Sequence, residues 1–353
     1  MRSALGAAGS PRLWLVSARL HIVTGKGGTG KTTVASALAL ALAGGSGGSG
    51  ADGSGPRKVL LAEVEGRQGI SQTFDVPPLG TDETRIVRLP GGGDVIGLSV
   101  EPKAALLEYL QLFYKLGRAG KLLEKFGAID FATTIAPGVR DVLVIGKIYE
   151  ANRRRQDGRH KGASPAAYGG LVMDAPPTGR IGRFLSVNSE VAELARVGPI
   201  HSQAESITAL LTSDQTVVHL VTLLEEMPVQ ETLEAVAELR AKGLTVGTLV
   251  VNMVREPLLT DTAHAQARDG RLHKSSISAQ LIEAGVKVTP ELVTGLLDEA
   301  RDHAHRVDLE REQLALLEET GLPIVTLPLI PEGVDSGSIR ELADILVEEG
   351  MVP

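Results

Sequence analysis

Residues 25–33 read GKGGTGKTT. Gly25, Gly30, Lys31 and Thr32 satisfy G-x-x-x-x-G-K-[ST], the phosphate-binding loop. Residues 20–23, LHIV, precede it as a buried strand, and residues 32–42 follow as an apolar helix. The motif needs that strand–loop–helix setting. Glycines let backbone N–H groups converge on an anion, and the helix start adds partial positive charge. Gly27, Gly28, Thr29, Gly30, Lys31, Thr32 and Thr33 are therefore the expected nucleotide-binding residues. Lys31 would reach the β- and γ-phosphates of ATP, or the β-phosphate of ADP, and Thr32 would ligate Mg²⁺ through its hydroxyl. The same loop supports a rival reading. Gly25, Gly27 and Gly30 also satisfy G-x-G-x-x-G, the dinucleotide fingerprint, with Glu63 or Glu65 available for a ribose hydroxyl. That fingerprint does not require Lys-Thr after its last glycine, and it leaves the next motif unexplained.

Asp174 heads DAPPTGR at the carboxyl end of the apolar run 171–174. A phosphoryl-transfer site needs an acid there, holding Mg²⁺ directly or through water. Gly179 lets the backbone swing near a γ-phosphate. Strands at 58–64, 94–100, 171–174, 216–222, 244–252 and 323–328 alternate with helices at 228–241, 291–319 and 338–349. The alternation predicts an α/β P-loop NTPase fold, a mostly parallel central sheet flanked by helices. Helical spacing over 103–155 (Leu106, Leu110, Phe113, Leu122) and again from 179 to 213 predicts a helical subdomain inserted at about 103–168 and 180–213. Residues 1–18 read as a tail, residues 44–56 as a Gly/Ser-rich connection, residues 66–84 as loop, and 19–353 as one ATPase domain.

Composition narrows the chemistry. The chain has 353 residues, a net charge of −7 and no cysteine. The charge argues against a nucleic-acid binder that relies on overall electrostatics. Without cysteine there is no disulfide, thiolate-bound metal or cysteine nucleophile. No run of 18 clean apolar residues exists, so stable membrane insertion is not expected. Residues 1–18 hold too short an apolar stretch for a signal peptide, which points to the cytoplasm.

Lys26, directly after the first glycine, is not required by the general motif. KGGTGKT resembles the deviant Walker A class, which includes septum-placing ATPases, nitrogenase iron protein and the arsenite-pump ATPases. The resemblance implies that Lys26 reaches across a dimer interface to the partner's nucleotide. Five further stretches resemble the arsenite-pump/tail-anchored-protein-targeting ATPase family from about residue 19 to the C-terminus. They are DAPPTGR at 174–180, EPKAALLEY at 101–109, TLLEEMPVQET at 222–232, and VNMV at 251–254 with PLIP at 328–331. By this resemblance Asn252 binds the adenine edge, and Pro328 and Leu329 lie near the base. Switch I departs from the family pattern: EGRQGISQTF at 65–74 puts Glu65 where the family has the Asp that orients the attacking water. A Glu is one methylene longer and still accepts a hydrogen bond from water.

The family's metalloid-sensing cysteines and zinc-binding CxxC are both missing, which leaves an arsenite motor the weakest reading. One phosphate loop per chain implies a homodimer or a heterodimer with a paralogous ATPase. The expected function is a dimeric ATPase, slow in turnover, whose nucleotide state moves a helical subdomain that binds a protein client of unknown identity. The alternative is a nucleotide-gated scaffold with weak or no hydrolysis. Lys26, Lys31, Glu65 and Asp174 are the expected catalytic residues.

Overall fold

The computed structural model describes residues 18–44, 57–102, 104–105, 137–154, 166–195 and 199–352. Its strands are β1 Leu20–Gly25, β2 Lys58–Glu63, β3 Thr84–Arg88, β4 Asp94–Ser99, β5 Gly170–Asp174, β6 Thr216–Thr222, β7 Val246–Val254 and β8 Ile324–Pro328. Its helices are α1 Lys31–Gly44, α2 Gly69–Thr73, α3 Pro137–Arg153, α4 Thr178–Ala195, α5 Pro199–Leu211, α6 Glu226–Ala241, α7 Asp261–Arg268, α8 Lys274–Glu283, α9 Pro290–Glu318 and α10 Ser336–Glu348. The strands form one sheet in the order β3-β4-β2-β5-β1-β6-β7-β8. Every neighbouring pair is parallel except β3 with β4.

A parallel sheet covered on both faces needs strands that are apolar along their length, and β1, β5 and β6 are buried throughout. Alternation along each strand assigns its residues to opposite faces. Leu60, Ala62, Leu171 and Met173 join one core with Val144, Ile145 and Ile148 of α3 and Ile181, Phe184 and Leu185 of α4. Val59, Leu61 and Val172 join the other core with α1 and α10.

Helix α1 is built from alanine and leucine, the strongest helix formers, and is buried along nearly all its length. A helix apolar on every side needs cover on every side. The sheet covers one side and α10 the other. A capping box starts α10: Asp335 accepts from the Gly337 and Ser338 backbones while Ser338 Oγ accepts from the Asp335 N–H. Ile339, Leu342 and Leu346 then pack on the α1 side, and Met351 and Val352 are buried in the same cluster.

Four elements lie where the sequence pattern predicts none. Strand β3 lies at the sheet edge, short and carrying Arg85 and Arg88, with a bulge between Arg85 and Val87. Such an edge strand is irregular and charged, so it lacks the apolar run that marks a buried one. Helix α2 lies inside the expected loop at 66–84, and α7 and α8 fill a stretch with no expected element. Of these, α8 buries none of its residues. The C-terminal part of the first expected helical insertion, α3, shares its core with the sheet, as do α4 and α5. Residues 103, 106–136 and 155–165 of that insertion lie outside the described residues, as do residues 1–17 of the expected tail and 45–56 of the Gly/Ser-rich connection. Among the described residues no helix is long and apolar enough to cross a membrane.

Two histidines are sealed beneath the sheet's centre. The His21 and His219 rings stack 5.4 Å apart, with His21 Nδ1 3.1 Å from His219 Nε2. The Thr248 N–H donates to His219 Nδ1 at 3.2 Å, which puts the His219 proton on Nε2, facing His21. Burial pushes the pKa of His21 down to about 4 and holds that of His219 well below the usual range. Gly247 makes the room: a Cβ there would lie 2.5 Å from Val217 Cγ2 and 2.9 Å from His219 Cε1.

Candidate nucleotide site

The expected site residues come from distant parts of the chain and meet at the carboxyl ends of β1, β2, β5, β7 and β8, the edge where open α/β sheets bind ligands. The loop from β1 to α1 is tightly seated. A Cβ on Gly25 would lie 2.1 Å from the Val221 carbonyl oxygen. Gly30 has φ +86° and its missing Cβ would lie 2.3 Å from Asn252 Nδ2. Neither position tolerates a side chain. Thr29 is buried and donates its hydroxyl to the Lys26 carbonyl at 2.9 Å. Gly27 and Gly28 are exposed at the rim, and Thr33 is half-buried. The first N–H groups of α1 have no partner within the helix and converge here.

Thr32 Oγ1 donates to Asp174 Oδ2 at 2.6 Å, joining residues 142 positions apart. Lys31 is buried at the start of α1. Burial pushes its pKa down, against the pull of the Asp174 and Glu65 carboxylates. The pKa of Asp174 rises to about 6, because it is buried and because Glu63 and Glu65 lie nearby; the Thr32 hydrogen bond and the Lys31 charge oppose the rise. A desolvated ammonium and a strand-end carboxylate crowded by other acids suit a phosphate and a divalent cation respectively. The residues present therefore fit magnesium nucleotide.

Glu65 is held by two arginines, Arg67 at 3.6 Å and Arg180 at 3.8 Å. Arg180 also reaches Asp141 on α3 at 3.8 Å. Lys26 lies 2.8 Å from Glu231 on α6, and Glu231 also accepts from Thr178 at 3.1 Å. Neither Glu231 nor Asp141 is marked individually by the sequence. Glu231 sits inside the quoted stretch 222–232, whereas nothing in the local pattern around Asp141 distinguishes it.

Asn252 Nδ2 donates to the Thr29 carbonyl at 2.9 Å, so its buried amide braces the phosphate loop. Pro328 and Leu329 are exposed beside it, with Val254 paired to Pro328 and the Leu329 N–H donating to the Val254 carbonyl at 2.9 Å.

The sheet order overturns the dinucleotide reading. A dinucleotide-binding sheet places β2 next to β1; here β5 lies between them. Thr32 and Asp174, which that reading leaves idle, are hydrogen-bonded to each other.

A family model described as "AAA domain" matches residues 10–76. The chain is 47% identical over 337 residues to the ATPase BagA of Mycobacterium tuberculosis, covering 96% of this chain and 95% of that protein, and equally to a putative ATPase of Mycobacterium bovis. It is 23% identical over 276 residues to the ATPase GET3 of Kluyveromyces lactis, covering 68% of this chain and 74% of GET3. It is 24% identical over 301 residues to a putative arsenical pump-driving ATPase of Chlorobaculum tepidum, covering 72% and 64%.

Proposed function

The chain belongs to the family of P-loop ATPases that takes in GET3 and the arsenical pump-driving ATPases, and from that premise we propose that it is a magnesium-dependent ATPase working as a dimer. The observation that carries this reading is the Thr32–Asp174 hydrogen bond, which joins the phosphate loop to the strand-end acid. Thr32 and Asp174 would hold the cation, which when bound neutralises charge on the phosphates. Lys31 binds the β- and γ-phosphates with a charge made stronger by its desolvation. Glu65 orients the attacking water as a hydrogen-bond acceptor. Asn252 spends its amide nitrogen on the loop, so its carbonyl oxygen is the acceptor we assign to the adenine amino group, with Pro328 and Leu329 against the base.

Lys26 is assigned to the partner's nucleotide. A symmetric dimer would then place two nucleotides near its dyad. Arg180 ties Glu65 to Asp141, a path from the water-orienting residue to helix α3 and to a protein client. The test is calorimetric titration of the purified chain with ADP and a non-hydrolysable ATP analogue, with Mg²⁺ and with EDTA, followed by turnover and ultracentrifugation. Tight binding in Mg²⁺, measurable turnover and analogue-dependent dimers are expected. A chain that binds no nucleotide ends the reading.

One observation favours a second reading, a nucleotide-gated scaffold. Two arginines stand within ion-pair range of the Glu65 carboxylate, where they compete with water for it. Binding and dimerisation without turnover would select it.

A further inference from the structure

One buried carboxylate has no part in the scheme above. Glu63 ends β2, and its Cα partner on β5 is Asp174. Paired residues of parallel strands send their side chains to the same face, about 5 Å apart. Glu63 is 2% exposed. Its Oε1 accepts from the Gly69 N–H at 3.3 Å, while its Oε2 is buried without a partner. Gly69 is itself pressed on Thr32: a Cβ there would lie 3.1 Å from Thr32 Cγ2. Glu63, Asp174 and Thr32 thus lie together at one corner of the site, and one of the Glu63 oxygens is unspent. Buried carboxylate oxygens are normally hydrogen-bonded, so an unspent one next to a ligand site marks a place for a ligand's donor.

We infer that Glu63 is a positioning residue for the magnesium ion, its free oxygen accepting a hydrogen bond from a water in the cation's shell. Among the described residues no cluster of three acidic or histidine ligands could hold a metal. Magnesium is reluctant to shed water and binds through one or two carboxylates plus substrate phosphates. Thr32 and Asp174 supply protein contacts on one side, and Glu63 orients the water that remains on another. Gly69 N–H pins the carboxylate, so the same contact brings the start of α2 toward the cation. The inference rests on the magnesium-nucleotide reading above.

Glu63→Gln separates the roles. The amide keeps an oxygen for Gly69 and turns the free acceptor into a donor at nearly the same volume. Affinity for ADP would be measured by calorimetry with Mg²⁺ and with EDTA, alongside the melting temperature without nucleotide. The expected result is loss of about tenfold to 100-fold in affinity with Mg²⁺, the usual cost of removing an outer-shell partner, with affinity in EDTA and melting temperature kept. Parental affinity in Mg²⁺ would overturn the inference. So would an equal loss in EDTA, since Glu63 would then be shaping the loop and not the cation's water. If the parental chain itself binds ADP no better in Mg²⁺ than in EDTA, the magnesium reading fails and takes this inference with it. Parental binding that responds to Mg²⁺ while Glu63→Gln matches it sinks the inference alone.

Discussion

Lys26 and Glu231 of the same chain stand 2.8 Å apart, ammonium to carboxylate. If Lys26 serves a partner's nucleotide, as proposed, it is engaged at home and has to leave Glu231 to cross. Each side chain is about a third exposed (31% and 32%), so the pair is worth no more than about 1 kcal/mol. Glu231→Gln should tighten analogue-driven dimerisation by up to about fivefold, the equivalent of that energy. Sedimentation equilibrium with ATP analogue and Mg²⁺ measures it. An unchanged dimer constant means that the home contact does not compete.

Lys31→Ala removes the buried cation of the phosphate loop. A hydrogen bond to a charged group contributes about 1.5–3 kcal/mol, so nucleotide affinity should fall by roughly tenfold to 100-fold. Calorimetry with ADP and Mg²⁺ reads the change. Retention of both affinity and turnover would remove the loop from the mechanism.

Glu65→Gln should bind ATP with parental affinity and hydrolyse it more slowly by about 100-fold or more, the contribution of a positioned proton acceptor. Single-turnover kinetics with saturating enzyme separates this from slow product release. A parental rate would show that the arginines hold Glu65 for structure.

Asn252→Ala leaves the Thr29 carbonyl without its donor. An unsatisfied buried group costs about 1–3 kcal/mol. Urea unfolding should report that loss, and weaker ADP binding should accompany it because the loop loses its brace. Loss of stability without loss of affinity would assign Asn252 to packing alone.

Stability should depend on pH through His21 and His219. The unfolded chain takes up protons below about 6.5, whereas folded His21 resists until about 4. The contribution is whole above the unfolded pKa and is lost as pH falls from there toward 4. For His21 it amounts to about 3 kcal/mol. Melting temperatures from pH 7.5 to 5 should decline, and His21→Gln should flatten the upper part of that slope. A profile identical in the variant would show that other groups govern acid unfolding.

The parts legible in the sequence were those with strong local patterns. The strand before residue 25, the apolar helix after it, Asp174 at a strand end and the run 216–222 all showed up because burial on both faces leaves an uninterrupted apolar signature. Strand β3 and helix α8 did not, because an arginine-bearing edge and a helix without buried residues look like loop. Contacts across the sequence were legible only as candidates. Thr32 and Asp174 are 142 residues apart, and their hydrogen bond is a product of sheet order. Glu231 was hidden because its role depends on α6 running past the phosphate loop. Glu63 shows in the sequence only as a candidate ribose ligand, since no local pattern reports that one of its oxygens is unspent.

The last residues of the described fold have a stake in the first motif. Helix α1 carries the phosphate loop at its N-terminus, and its outer flank is roofed by α10, with Met351 and Val352 buried in that same cluster. Clipping those two residues would strip apolar cover from the cluster that holds α1 without touching any nucleotide contact. A protease cut at residue 351 would thus act on nucleotide binding from more than 300 residues away in sequence, by loosening the platform on which the loop is mounted.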